Sequence, residues 1–166
     1  MRTAVALGSN LGNRLENLRT ARRRILEIGG VNPPVFSSGI YETDPVNCEA
    51  CASKFLNAVI EFEYDADPLK LLEETGRIEE SLRRERHHAK NVSRTIDIDL
   101  LYCGEHQIDN KQLQLPHPRM HLRQFVLRPL SDIRPELTLP NQRQTIRQLL
   151  AQSDESTGVV RLMKNW

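Results

Sequence analysis

"FLNAVIEFEYDADPLKLLEETGRIEESL" runs from Phe55 to Leu82 and changes its hydrophobic period halfway. Up to Tyr64 the residues alternate, with Val59, Glu61 and Glu63 opposing Ile60, Phe62 and Tyr64, which is the period of a strand. After Asp67 the period lengthens, and Leu71, Thr75, Ile78 and Leu82 fall on one face of a helix. Asp67 is the natural N-cap and Pro68 the first helical residue. The stretch is therefore a strand feeding a helix. Upstream, "TAVALG" (Thr3 to Gly8) reads as an apolar strand, and Leu15, Leu18, Ala21, Ile25 and Ile28 keep helical spacing. Asn13 with Glu16 resembles a capping box, and Gly29-Gly30 is expected to end that helix. Pro33-Pro34 is expected to separate it from a second strand over Val35 to Tyr41. Downstream, "RTIDIDLLY" (Arg94 to Tyr102) alternates again, and Gly104 is expected to turn it into a hairpin returning through "HQID". A short helix within "HPRMHLRQFVLRPLSDI", another beginning at Thr145 and Gln148, and a strand in "GVVRLMKNW" complete the chain. The order β-α-β-β-α-β is that of the split βαβ, so the expected fold is α+β: a ferredoxin-like sandwich, a largely antiparallel sheet with helices on its faces. No repeat or linker divides residues 1–166, which read as one domain.

With 39% hydrophobic, 27% charged and 5% aromatic residues and a net charge of +1, nothing global points to nucleic acid or a membrane. No apolar run approaches the ~20 residues that span a bilayer. The short apolar N-terminus ends at once in a polar turn, unlike a signal peptide. Three cysteines, Cys48, Cys51 and Cys103, make no disulfide framework and fit a reducing cytoplasm. Cys48 and Cys51 form one C-x-x-C with no second pair of ligands at matching spacing, so the expectation there is a plain loop.

Local patterning carries more. On a strand, Asp97 and Asp99 share one face while Ile96, Ile98 and Leu100 take the other, which leaves two carboxylates ~6–7 Å apart at their Cα atoms. Bound Mg²⁺ would offset their repulsion, since magnesium takes few protein carboxylates and completes its shell with water and substrate phosphate. A solvated strand edge kept from aggregating by charge is the plainer alternative. From Arg83 to Arg94, five basic residues (Arg83, Arg84, Arg86, Lys90, Arg94) stand against one acid, Glu85. His117, Arg119, His121, Arg123 and Arg128 follow. Carboxylates that hold Mg²⁺ among arginines are the recurring apparatus of phosphoryl transfer. Composition alone leaves this reading open beside that of a solvated basic helix end.

"LGSNLGNR" (Leu7 to Arg14), "YETDPV" (Tyr41 to Val46), "FLNAV" (Phe55 to Val59), "RTIDIDLL" (Arg94 to Leu101), "LPHPRM" (Leu115 to Met120) and "RQFVLRPL" (Arg123 to Leu130) occur in that order. Together they resemble the 6-hydroxymethyl-7,8-dihydropterin pyrophosphokinase family of folate biosynthesis, from Leu7 to about Pro135. The resemblance implies the ferredoxin-like fold. It also implies transfer of pyrophosphate from MgATP to the pterin hydroxymethyl group, with release of AMP. By that resemblance Asp97 and Asp99 hold two Mg²⁺ ions. Arg84, Arg94, His117 and Arg123 match positions that contact ATP phosphates, and Leu72, Glu79 and Leu100 match positions near the nucleotide. Arg84, Arg94, Asp97 and Asp99 are the catalytic set it implies. Phe55 and Phe125 match the aromatic pair that sandwiches the pterin, a flat ring that gains from stacking on both faces. Asn57, which both donates and accepts, matches the reader of the pterin amide edge. Thr43, Pro45 and Val46 match the loop that presents backbone groups to that edge. Gly8-Ser9-Asn10 ahead of a helix admits a phosphate cradle, but is read as a tight turn beside the pterin pocket. The implied partners are ATP and a hydroxymethyl-dihydropterin, with no nucleic acid or membrane, and the implied assembly is a monomer.

The chain departs from the family in one loop. Arg83-Arg84 stands for a usual Gly-Arg, Val92-Ser93 for Gly-Pro, Asn91 for tryptophan and His87 for a basic residue, often lysine. Glycine and proline set a loop's course and an aromatic can seal it. The expectation is a reshaped lid over an intact metal site, with slower turnover or a shifted pterin preference. The alternative is a paralogue that binds pterin or nucleotide with weak or no transfer, although a binding module has little reason to keep two repelling carboxylates. An RNA-binding domain of this shape would stack bases on sheet aromatics, and no such stripe exists here.

Overall fold

The computed structural model describes residues 1–44, 53–82, 95–140, 142–153 and 158–166. Its centre is β4 (Phe55–Tyr64), paired antiparallel along one side with β1 (Arg2–Ser9). On the other side of β1 lies β5 (Asp97–Cys103), also antiparallel. The free side of β4 is shared end to end by β2 (Val31–Ser37) and β3 (Ile40–Thr43), and β8 (Val159–Met163) extends the sheet beyond β3. All these pairings are antiparallel, and the main path runs β5-β1-β4-β3-β8. α1 (Arg14–Leu26) crosses from β1 to β2 over β4, and α2 (Pro68–Ser81) crosses from β4 to β5 over β1. That is the ferredoxin-like arrangement the element order implied.

Both faces of the sheet are covered. Leu18, Ala21 and Ile25 of α1 and Leu71 and Ile78 of α2 pack on Val5, Leu7, Ile60, Phe62, Tyr64, Ile98 and Leu100. The opposite face, with Ala4, Val59, Leu101 and Tyr102, meets Val126, Leu127 and Leu130 of α3 (Gln124–Ile133) and Ile146 of α4 (Ile146–Gln152). Asn13 and Asp67 cap their helices through the side chain, and Thr145 with Gln148 forms a complete capping box. No helix among the described residues is long and apolar enough to cross a membrane.

Four expectations are corrected. Pro33-Pro34 does not precede the second strand but lies inside β2, where the register shifts between Asn32 and Phe36. A residue without an N–H is tolerated where the ladder is already interrupted. The strand expected over Val35 to Tyr41 is two strands, because the chain breaks at Ser38 and Gly39 between β2 and β3. α1 ends at Leu26 rather than at Gly29-Gly30, and Gly30 supplies the left-handed turn (φ 92°) into β2. The segment after Gly104 does not return on β5. β6 (Ile108–Asp109) pairs with β7 (Gln114–Leu115) in a separate ribbon.

α3 is tied to the sheet by Asp132, which accepts from the Gly39 N–H, the Tyr41 hydroxyl and Arg161, each at 2.9 to 3.1 Å. Burial, with the Asp132 hydrogen bond second, pushes the Tyr41 phenol up to about 12 from 10.0. The unfolded phenol therefore loses its proton first as pH rises. This contribution is fully present below pH 10.0 and is lost as pH climbs through about 12. Tyr41→Phe should flatten that part of the alkaline stability profile, read as the urea midpoint between pH 9 and 12. A profile identical to that of the unmodified protein would argue against a raised Tyr41 phenol.

Candidate active site

β4 and β5, on either side of β1, carry Phe55, Asn57, Asp97 and Asp99 on one face, at the end of the sheet beyond the apolar contacts of α3. Along β5, Ile98 and Leu100 turn into the core under α1 and α2, so Asp97 and Asp99 turn to the other face, and both are half-buried. Asp97 stands opposite Gly8 and Asp99 opposite Ala6 of β1. Gly8 in turn stands opposite Asn57 of β4. Gly8 lies within β1, as the strand read over Thr3 to Gly8 implied, and β1 runs on through Ser9, which corrects the turn expected at Gly8-Ser9-Asn10.

The outer edge of β5 is occupied by groups that place two further candidates. The Glu79 carboxylate accepts from the Ile98 N–H at 2.8 Å, locking α2 to the carboxylate strand. The His117 N–H donates to the Leu101 carbonyl at 2.8 Å. His117 Nδ1 accepts from the Arg119 N–H at 3.2 Å, and burial pushes the imidazole below its ordinary value. A neutral ring with Nδ1 engaged carries its proton on Nε2, where it is a donor for an incoming oxygen. His117, Asp99, Leu72 and Leu100 line an open cavity of about 490 Å³ beside β5. The far wall of this cavity is the β6–β7 ribbon, including Lys111, Gln112 and Leu113. The sequence reading missed that wall, because two-residue strands carry no periodicity; the only signal was the polar run before "LPHPRM".

Arg123, the N-cap position of α3, pairs with Asp99 at 3.0 Å and lies 5.5 Å from the Phe125 ring centroid. One guanidinium therefore links Asp99 of the carboxylate pair to one of the two candidate stacking rings. On the opposite side of the site, the Asn57 amide N–H donates to Thr43 Oγ1 at 2.8 Å, and both residues are buried. Phe55 is half-buried at the start of β4. That start is held by Arg14, which reaches Glu42 of β3 at 2.9 Å and the Lys54 carbonyl at 2.7 Å, and by an Asp44–Lys54 pair at 3.0 Å. Arg14 had no assigned role in the sequence.

The donor set suits magnesium bound together with a polyphosphate. Among the described residues no group of three or more His, Cys, Asp or Glu could hold a metal. The half-buried carboxylates Asp97 and Asp99 supply the few protein oxygens that magnesium needs when phosphate completes its shell. Cys103 is buried in the core, and burial pushes its thiol up to about 11. Arg84, Arg94, Pro45 and Val46 lie outside the described residues, as do Cys48, Cys51 and the loop positions Arg83, His87, Asn91, Val92 and Ser93.

Comparison with known proteins supplies what geometry alone does not. Residues 4–135 match the family model for 7,8-dihydro-6-hydroxymethylpterin-pyrophosphokinase. The chain is 43% identical to the Bacillus subtilis 2-amino-4-hydroxy-6-hydroxymethyldihydropteridine pyrophosphokinase over 129 residues, 78% of this chain and 75% of that one. It is 38% identical to the Haemophilus influenzae protein of the same name, over 89% of this chain and 90% of that one. A solved Plasmodium falciparum HPPK-DHPS with pteroate shares the fold, with a TM-score of 0.70 over 91% of this chain at 16% identity. This chain covers 42% of that longer one. The paired carboxylates on β5, the amide and aromatic on β4 and a family match over most of the chain agree: this chain belongs to the 7,8-dihydro-6-hydroxymethylpterin-pyrophosphokinase family.

Proposed function

We propose that this chain transfers the pyrophosphate of MgATP to 6-hydroxymethyl-7,8-dihydropterin and releases AMP, a step of folate biosynthesis. The observation that carries the reading is the row Asp97–Gly8–Asn57, which sets a carboxylate suited to metal and an amide suited to a pterin on either side of β1, on one face of the sheet. The hydroxymethyl oxygen attacks the β-phosphorus and gives up its proton to solvent, the bond from that phosphorus to the bridging α-oxygen breaks, and AMP leaves with that oxygen. Asp97 and Asp99 would hold two Mg²⁺ ions, which when bound would neutralise triphosphate charge and lower the pKa of the attacking hydroxyl. His117 donates to a phosphate oxygen, and Arg123 exchanges Asp99 for phosphate. Arg84 and Arg94 complete the phosphate contacts. Leu72 and Leu100 pack the nucleotide, and Glu79 keeps β5 in place beneath it. Phe55 and Phe125 stack on the pterin, Asn57 pairs with its amide edge, and Thr43 orients Asn57, with Pro45 and Val46 along the same edge. The protein acts as a cytoplasmic monomer with residues 1–166 as one domain.

The test is AMP release from MgATP and 6-hydroxymethyl-7,8-dihydropterin. AMP formed in equal amount with the pterin pyrophosphate supports the proposal. Saturable pterin binding without AMP would favour the non-catalytic paralogue.

A further inference from the structure

Between the two halves of the site the sheet floor carries no side chain. Gly8 is flanked in register by Asn57 on β4 and Asp97 on β5. A methyl group built on Gly8 would lie 3.3 Å from Asn57 Oδ1, 3.9 Å from the Asp97 Cβ and 3.9 Å from Phe55 Cδ1. Two residues of the pterin half and one of the metal half therefore converge on the space above this one α-carbon. With strands ~4.8 Å apart, Asn57 and Asp97 are separated at their α-carbons by roughly 9–10 Å across Gly8. A heterocycle seated on Phe55 and Asn57 must extend its reactive arm over that gap to bring an oxygen beside Asp97. The arm has to pass where a side chain at position 8 would stand.

We infer that Gly8 is a specificity-determining residue: its missing side chain is the slot for the one-carbon arm of the acceptor, and it limits how large the substituent on that ring carbon can be. This rests on the proposed pterin reading and deepens it. The backbone of Gly8 does not require glycine, because it lies within the regular ladder of β1 and is absent from the positive-φ glycines among the described residues. The ligand-free fold needs the Asn57 amide to yield only a few tenths of an ångström to admit a methyl group. What excludes a side chain at Gly8 is the acceptor.

Gly8→Ala separates these contributions when binding is measured by calorimetry in the presence of a non-hydrolysable MgATP analogue. The variant should unfold in urea close to the unmodified protein and bind the nucleotide analogue within about twofold of it. Its affinity for 6-hydroxymethyl-7,8-dihydropterin should fall at least ~10-fold, the scale of one methyl group in a fitted pocket. Its affinity for 7,8-dihydropterin, which has hydrogen in place of the arm, should change by less than about twofold. Equal losses for both pterins would overturn the inference, since the ring seat and not the arm would then be affected; so would no loss for either. Should the variant fail to fold, the unmodified protein gives the same answer. Adding a methyl group to the carbinol carbon of the ligand should weaken binding at least ~10-fold, and unchanged affinity would overturn the slot. An unmodified protein that binds neither pterin overturns the proposed function itself, a result distinct from any of these.

Discussion

Asp97→Asn and Asp99→Asn should each leave the protein folded and lower the rate of AMP release by ~10³-fold or more, equivalent to ~4 kcal/mol of lost transition-state stabilisation. The loss is expected to be selective because both carboxylates are only half-buried. The Asp99 side chain is 36% exposed, and its ion pair with Arg123 is of the kind that contributes at most ~1 kcal/mol. Ile98 and Leu100, which hold the strand in the core, are untouched by either substitution. Each variant keeps the shape of the side chain and removes the charge that a metal requires, together at Asp99 with the ion pair to Arg123. Single-turnover AMP release and the urea midpoint, measured on the same preparations, check the prediction. A rate within tenfold of the unmodified protein at either position would remove that carboxylate from the metal site. A matching loss of stability would mean that the strand face is structural after all.

The legibility of this site followed the range of the interaction concerned. Asp97 and Asp99 could be placed on one face because alternation is a local property, and α1 and α2 because their spacing and caps lie within a few residues. Three features were out of reach. Pro33-Pro34 reads as a break by the local rule, yet β4 is long enough to pair with β2 on either side of an interrupted ladder. Glu61 alternates with Ile60 and Phe62 and carries no local sign of burial, whereas the helices from the second half of the chain bury that face of the sheet. Gly8 is one small residue in an apolar strand until the register sets it between Asn57 and Asp97. In each case the deciding contact comes from a strand or helix far away in the chain.

Arg134→Ala should be the most destabilising of the polar substitutions outside the site, by ~3–5 kcal/mol, because it leaves a buried carboxylate without its cation. Glu61 is 2% exposed and accepts from both Arg134 Nε and Nη2 and from the Tyr102 hydroxyl. The arginine comes from just beyond α3, lies 4.8 Å from the Phe36 ring centroid, and has its own pKa raised chiefly by the Glu61 hydrogen bonds. Burial and the Glu61 bond hold the Tyr102 phenol protonated, so it remains a donor across the physiological range. Tyr102→Phe removes one neutral donor and leaves the arginine in place, so it should cost only about 1–2 kcal/mol. Replacing both charges, Glu61→Leu with Arg134→Met, should recover much of the Arg134→Ala loss, since the penalty belongs to the unpaired charge rather than to the missing contact. Urea midpoints for the three variants at a constant m-value decide the matter. An Arg134→Ala cost below about 1 kcal/mol would mean that water reaches the carboxylate. The functional consequence is a separation of roles along a single strand. Glu61 lies four residues from Asn57, ~13 Å along β4, so Arg134→Ala should lower the midpoint and still release AMP at near the unmodified rate wherever the protein remains folded.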